Sequence, residues 1–469
     1  MGYGNKFIKD LFDKAPYPFK VFITSAYGMQ QRKKRFGPFF KEQIAFLDKA
    51  QYWKEAELKN YQQQKLAAFF AAIKEVPFYQ QNEPYKTLLA SDTIALGDFP
   101  VLAKQTVKRN SKEFYNTAGK KVYWGHTSGT TGSAMVFPLS EQAYQYEYAF
   151  REMHYRWGGA SFEGKDKIAA CAGHPVAIPG RTKPPFWAFD KANNHLFFSS
   201  YHMSSETLPF YIEQLEKFDP LLLHGYPSSM YLLALAYKKY GKKKLQLKAV
   251  FTASESLLDF QRQAIEESFN VKVFNWYGTS EMSANIVECE CGELHLKEEH
   301  SVVEILNEDN QPCKPGETGR VVSTNFNNTA FPLIRYDVGD MVTVAVNQVA
   351  KCGRGGLLID KVEGRIEDYV ITPEGKIVGR LDHLFKDAVN VVEAQIVQPT
   401  KETIILKVVK DKNYTQKDEE QIIQEARVRL GSGMKITFEY VDRIPRTKNG
   451  KYRFILSQVQ GAGINVVTV

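Results

Sequence analysis

Thr127-Ser128-Gly129-Thr130-Thr131-Gly132 sets four hydroxyl residues and two glycines between the apolar flanks Tyr123-Trp124 and Met135-Val136-Phe137. The flanks read as strands, so the run is a polar loop between them. Glycine bends sharply and lets backbone N–H groups approach a ligand. The serine and threonine hydroxyls add donors, and the combination suits a polyphosphate. It is not a Walker loop, because no Gly-Lys-Ser/Thr follows at the required spacing. A Gly/Ser/Thr hairpin turn accounts for the same residues, so the remainder of the chain decides.

The chain has 469 residues, more than one hydrophobic core can serve. With 43% hydrophobic and 24% charged residues, it has the balance of a soluble globular enzyme. No apolar run reaches the roughly 18 residues of a membrane span. Met1–Lys6 lacks the apolar core of a secretory signal, and Lys6 replaces the Ser or Thr of a myristoylation site. The net charge of +8 is mild for this length. The runs Arg32-Lys33-Lys34-Arg35 and Lys242-Lys243-Lys244 read as solvated surface outside any nucleic-acid motif, so no nucleic-acid partner is expected. Five cysteines, an odd and sparse set, point to a reducing, cytoplasmic setting.

Residues 1–120 read as mostly helical, with Leu58, Tyr61, Leu66, Phe69, Phe70 and Ile73 on one amphipathic face. The middle alternates. Strands are expected at Lys167–Cys171, Leu221–His224, Ala249–Thr252 and Val271–Trp276, with helices at Ser205–Phe218, Pro227–Tyr240 and Ser256–Phe269. That alternation argues for an α/β fold with a parallel sheet covered on both faces. Residues 285–360 turn β-rich, with strands at Ser301–Leu306, Gly319–Thr324 and Asp340–Val346. Asp360–Arg365 is charged and reads as a hinge. Beyond it a unit of residues 365–469 carries a strand at Thr403–Val409, a helix capped by Thr415 and ended by Gly431, and a last strand through Ile436, Phe438 and Tyr440.

Ligands of such sheets bind beyond the carboxyl ends of the strands. There the sequence places His224-Gly225-Tyr226-Pro227-Ser228, Ala253-Ser254-Glu255-Ser256 and Tyr277-Gly278-Thr279-Ser280-Glu281. With Thr127–Gly132, Tyr336-Asp337-Val338-Gly339-Asp340, and Gly364-Arg365 followed by Arg446-Thr447-Lys448-Asn449-Gly450-Lys451, these motifs stand in the order of the adenylate-forming superfamily. The chain resembles that superfamily from about residue 100 onward. Ser199-Ser200-Tyr201-His202-Met203-Ser204 and Gly225–Ser228 make it most similar to the phenylacetate-CoA ligase branch, especially its CapK-like members, which are associated with capsular and other surface polysaccharide synthesis.

The resemblance implies a large N-terminal domain, residues 1–364, with doubly wound sheets and a β-rich segment, and a small mobile α+β lid, residues 365–469. It implies an ATP- and Mg²⁺-dependent ligase. A small carboxylic acid attacks the α-phosphate, pyrophosphate leaves, and the acyl-adenylate passes its acyl group to CoA. An amine or hydroxyl of a sugar precursor is the alternative acceptor, and a non-catalytic nucleotide-binding scaffold is the reading from another class.

By the same resemblance Thr127, Ser128, Gly129, Thr130, Thr131 and Gly132 hold the departing phosphates. Thr279 serves the α-phosphate, Glu281 holds Mg²⁺, and Tyr277 with Gly278 packs on adenine. Ser254, Glu255 and Ser256 line the base, Asp340 accepts from the ribose, and Arg365 contacts ribose or phosphate. Lys451 is the catalytic cation, with Glu367 at the hinge. Relatives often carry a cation just after the phosphate loop. Here Ser133-Ala134-Met135 follow, so that charge comes from elsewhere. His202, His224 and Tyr226 are candidates to line the acyl pocket. Cys289, Cys291 and His295 stand within seven residues. Cys352 on the next hairpin completes a candidate structural zinc set, with Cys313 as an alternative. Free thiols on a surface hairpin would account for the same cysteines.

Overall fold

The computed structural model describes residues 15–127, 135–174, 176–177, 181–204, 206–365, 370–373, 377–378, 381–385, 390–445 and 452–459. Helices α1 (Tyr17–Arg35), α2 (Pro38–Ala50) and α3 (Glu55–Ile73) come first among the described residues. The short α4 (Pro77–Gln81), α5 (Tyr85–Ala90) and α6 (Lys104–Arg109) follow. Leu58, Phe69, Phe70 and Ile73 are the buried face of α3, as their spacing predicts. A hairpin of β1 (Val122–His126) and β2 (Val136–Ser140) then leads into α7 (Glu141–Trp157). Ser140 caps α7 by accepting from the Ala143 N–H at 3.1 Å.

The central strands are β3 (Ile168–Ala172), β4 (Trp187–Asp190), β5 (His195–Ser199), β6 (Leu222–Gly225), β7 (Ala249–Ala253) and β8 (Lys272–Gly278). Helices α8 (Leu208–Phe218), α9 (Pro227–Tyr240) and α10 (Asp259–Phe269) alternate with them. Strands β5, β3, β6, β7 and β8 pair in parallel in that order, with β4 antiparallel at the edge. Being buried on both faces, the strands read as continuous apolar runs. Ala169, Cys171, Leu223, Val250 and Val273 pack against α8, α9 and α10. Ile168, Leu222, Ala249, Phe251 and Phe274 meet Tyr155 and Phe162 on the other face. There α7 is backed by α2 through Phe40, Ile44 and Leu47 against Tyr146, Phe150 and Met153.

Strands β9 (Asn285–Glu288), β10 (Leu294–Leu296), β11 (Val302–Leu306), β12 (Thr318–Thr324), β13 (Tyr336–Val344) and β14 (Leu358–Arg365) are antiparallel. They extend the parallel strands into one 12-stranded sheet, joined where β8 meets β9. Two expectations change here. Asp360–Arg365, read as a charged hinge stretch, forms the end of β14, because pairing with β13 overrides its charged local sequence. Strand β13 begins at Tyr336, ahead of the expected start at Asp340, with bulges after Met341 and Thr343.

The C-terminal part has a short hairpin, β15 (Val370–Ile371) with β16 (Ile377–Val378), and a four-stranded sheet. In that sheet β17 (Val391–Thr400), β18 (Thr403–Lys410), β19 (Lys435–Tyr440) and β20 (Ile455–Ser457) take the order β19-β18-β17-β20. Helix α11 (Gln416–Leu430) covers it with Ile422, Ala426 and Leu430. Its cap is Thr415, whose N–H donates to Asp418 at 2.8 Å, and Gly431 at φ 83° ends it. Strand β20 follows the strand that the sequence reading took as the last.

Candidate active site

Three strand ends form the rim. Gly225 ends β6, where a Cβ would sit 2.1 Å from the carbonyl oxygen of Cys171. Only glycine fits between β3 and β6 there. Ser254, just past β7, holds φ 73°. That conformation is uncommon for a residue with a Cβ and is of the kind found at ligand sites. Thr279 follows β8. Its hydroxyl accepts from the N–H groups of Ser283 at 2.9 Å and Ala284 at 3.2 Å, which fixes the turn that carries Glu281.

Between this rim, β13–β14 and the C-terminal sheet lies a cleft of about 570 Å³. It gathers Thr127, Ser254, Glu255, Ser256, Tyr277, Gly278, Thr279, Glu281 and Asp340. Lys104, Arg262, Tyr452 and Arg453 line it as well. Its carboxylates are held. Tyr277 donates to Asp340 Oδ2 at 2.7 Å, and Tyr336 donates to Glu281 Oε1 at 2.9 Å. Burial, and then the Glu281 charge, push the Tyr336 hydroxyl well above its ordinary pKa, so it remains a donor. Asp340 lies opposite Arg365 in the β13–β14 register. Glu255 accepts from the Ser228 N–H at 3.2 Å and from the Tyr452 N–H, tying the rim to the C-terminal part.

The strand-flanked loop is closed at its neck. Thr127 N–H donates to the Met135 carbonyl at 2.9 Å, and the Thr127 hydroxyl accepts from Met135 N–H at 3.0 Å. Ser128, Gly129, Thr130, Thr131 and Gly132 lie outside the described residues, as do Lys451 and Glu367, and the side chain of Arg365 is not described.

The chain is similar to known proteins. The CapK C-terminal domain family matches residues 370–458. Protein CapK of Staphylococcus aureus is 27% identical over 96% of this chain and 99% of its own length. By these matches the chain resembles CapK-like members of the phenylacetate-CoA ligase branch of the adenylate-forming superfamily. Phenylacetate-coenzyme A ligase of Thermus thermophilus is 26% identical over 52% of this chain and 61% of its own. Among solved structures, 2-hydroxyisobutyryl-CoA ligase in complex with R3-HIB-AMP superposes with a TM-score of 0.66. It is 16% identical over 88% of this chain and 92% of its own, a likeness of fold.

A second cavity of this CapK-like protein, about 250 Å³, shares Ser254, Trp276, Gly278, Thr279 and Ser280 with the cleft. Tyr144, Glu147, Tyr148, Arg151 and Tyr155 of α7 line it, together with His224. Of the three acyl-pocket candidates only His224 lies here. His202 instead holds Ser199 Oγ at 2.7 Å and stacks on Phe186, while Tyr226 is buried at the start of α9. Burial lowers His224 to about 3, with help from the Arg151 charge, so its ring is neutral. The sequence reading missed α7 altogether. Its signal is the 4-3-4 spacing of Tyr144, Tyr148, Arg151 and Tyr155, one helix face of hydroxyls and a cation. Lys104 was missed because it is far away in sequence. Its ammonium donates to the Val338 carbonyl at 2.7 Å and brings a cation to the Asp340 side of the cleft.

The cysteine cluster has a different composition from the one expected. Ligand atoms of Cys289, Glu293, His295 and Cys352 lie within 4.8 Å of one another. Cys291 stands exposed and is not one of the four. The turn explains this. Cys289 N–H bonds the Glu293 carbonyl at 2.9 Å and Gly292 N–H bonds the Cys289 carbonyl at 2.9 Å, which puts Cys291 at the tip. Cys313 lies beside Gly319, outside the cluster. His295 Nδ1 sits 3.1 Å from the Gly355 carbonyl and Nε2 sits 3.3 Å from Cys352 Sγ. A proton on Nδ1 therefore leaves Nε2 as a ligand atom.

Proposed function

We propose that this protein activates a small carboxylic acid with ATP and transfers the acyl group to CoA. The observation that carries the reading is the cleft, where residues of four separated motifs and of the C-terminal part meet around one space large enough for a nucleotide. The carboxylate oxygen bonds to the α-phosphorus as the bond to the pyrophosphate oxygen breaks. A thiolate then attacks the acyl carbon and AMP leaves.

Two anions must meet in the first step, so cations and oriented donors have to offset their repulsion. Asp340, oriented by Tyr277, accepts from the ribose hydroxyls, and Ser254, Glu255 and Ser256 border the base. Glu281, fixed by Tyr336, is the carboxylate that would hold Mg²⁺, a hard cation that prefers such oxygens and neutralises phosphate charge. Lys451 is the catalytic cation. Its chain neighbour Tyr452 lines the cleft, which supports that role. In this reading residues 1–364 hold nucleotide and acid, and residues 365–469 are the lid that delivers Lys451 and rotates away for transfer. The resemblance to CapK-like proteins supports a role in surface polysaccharide synthesis, with an amine or hydroxyl of a sugar precursor as the alternative acceptor, and the odd, sparse cysteines support a cytoplasmic setting. No helix among the described residues is long and apolar enough to cross a membrane.

Carboxylate-dependent exchange of labelled pyrophosphate into ATP tests the first half. Exchange is expected with a small acid, and products formed with and without CoA identify the acceptor. ATP hydrolysis independent of any acid would overturn the mechanism.

Cys289, Glu293, His295 and Cys352 suit a closed structural Zn²⁺ site, since thiolate, imidazole and carboxylate are all zinc ligands. Metal analysis should find one zinc per chain, lost in Cys352→Ser and kept in Cys291→Ser. A folded, metal-free wild-type protein would remove the site.

A further inference from the structure

Among the described residues Arg151 is the one cation lining the smaller cavity, and none of them gives it a hydrogen bond or ion pair. Its guanidinium lies 5.2 Å from the Tyr148 ring centre and 6.0 Å from that of Trp276, with no described hydrogen bond or ion pair. The nearby carboxylate is already used. Glu147 Oε2 accepts from Asn285 at 3.1 Å and pairs with His300 Nε2 at 3.2 Å. A second cation stands behind the tyrosines, with the Arg35 guanidinium 4.6 Å from the Tyr148 ring centre. His224 adds a buried Nδ1 with no partner among the described residues. A partly buried guanidinium with its fork of donors unused is a ready partner for an anion that can complete it.

The position says which part of the ligand would do so. Arg151 lines the cavity but not the cleft; of the edge the two spaces share, at Ser254, Trp276, Gly278, Thr279 and Ser280, it is recorded against the Trp276 ring alone, 6.0 Å from its centre. An acid whose reacting carboxylate lies at that edge presents its other end to Arg151. The volume of about 250 Å³ admits only a small molecule.

We propose that Arg151 sets the class of acid: the substrate carries a second carboxylate, opposite the one that is adenylated, and Arg151 takes it as a planar pair. This rests on the ligase reading above. A carboxylate matches the guanidinium fork with two parallel hydrogen bonds.

The test compares matched acids, succinate against butyrate and glutarate against pentanoate, by pyrophosphate exchange and by calorimetric binding. Wild type should favour the dicarboxylate about 30-fold or more. Arg151→Met should abolish or reverse that order, and Arg151→Lys should weaken it while keeping its direction. Preference for monocarboxylates would overturn the inference and leave the ligase reading intact. An equal loss with every acid in a folded Arg151→Met would also overturn it, because Arg151 would then serve the reacting carboxylate or the fold. Absence of exchange with any acid would sink the ligase reading. Binding then decides: a dicarboxylate preference lost in Arg151→Met supports the inference, and no preference overturns it. If Arg151→Met does not fold, the wild-type order and Arg151→Lys decide.

Discussion

The nucleotide cleft and the cavity beside it share an edge and hold their charges in opposite ways. In the cleft two carboxylates that would meet the nucleotide are each oriented by a tyrosine hydroxyl, Asp340 by Tyr277 and Glu281 by Tyr336, and Glu255 is held by backbone N–H groups. Preorganised groups of this kind need not reorganise during reaction. In the cavity the tyrosines surround a cation instead, and Arg151 keeps its donors without a described acceptor. The difference follows from what each space receives. Every reaction cycle brings the same nucleotide, so its contacts can be fixed in advance. The acid is what distinguishes one such ligase from another, and its partner group is supplied by the substrate.

The largest expected effect separates the two half-reactions. Lys451→Ala should slow adenylation by at least about 100-fold, as removing one positioned donor does elsewhere, while transfer from a preformed adenylate persists. Equal loss in both steps would refute a lid-delivered cation. Next, Asp340→Ala should raise the KM for ATP about tenfold or more and leave the order of acids unchanged, because it removes a charged acceptor only from the cleft. A changed acid order would mean that the two spaces are not independent. Smaller again, Tyr336→Phe leaves buried Glu281 without the donor that holds it. The loss should cost about 2 kcal/mol of stability and weaken Mg²⁺ dependence several-fold. Unchanged denaturant midpoints would show that Glu281 does not need the contact.

A separate prediction concerns pH. Burial lowers His154, His195 and His224 to about 3 and His174 to about 4, below the unfolded value of 6.5. At a pH between these values the unfolded chain binds more protons than the folded one. Stability is therefore full above the unfolded value and falls as pH drops through the acid range towards the folded ones. Urea midpoints that stay level from about pH 7 to about pH 5 would contradict this sign.

Local signals were legible where a residue acts through its own backbone. Helix α9 runs from Pro227 to Tyr240 as expected, because proline fits its first turn and Gly241 follows its end. Thr415 and Gly431 bound α11 for similar reasons. The motif residues at the ends of β7 and β8 also meet in one cleft. Signals failed where a partner distant in sequence decides. His195–Ser199 becomes β5 because β3 offers an edge to pair with, and Trp187–Asp190 becomes β4 on the edge that β5 offers in turn. Asp360–Arg365 is strand because β13 lies beside it. Glu293 takes the place of Cys291 in the candidate metal cluster because a tight turn points neighbours in different directions, which residue type alone cannot reveal.

The sequence by itself determined the class of chemistry. Glycine, hydroxyl and carboxylate residues in a fixed order, on the loops of an alternating strand and helix pattern, carry enough local information to indicate a nucleotide site. Only the tertiary structure decided which charges are satisfied. It paired Tyr277 with Asp340 and Tyr336 with Glu281, brought Lys104 to the cleft, and set Arg151 in a cavity whose nearby carboxylate is already bound. The physical reason is that charge balance depends on distances of a few ångströms between residues far apart in the chain, and only folding sets those distances.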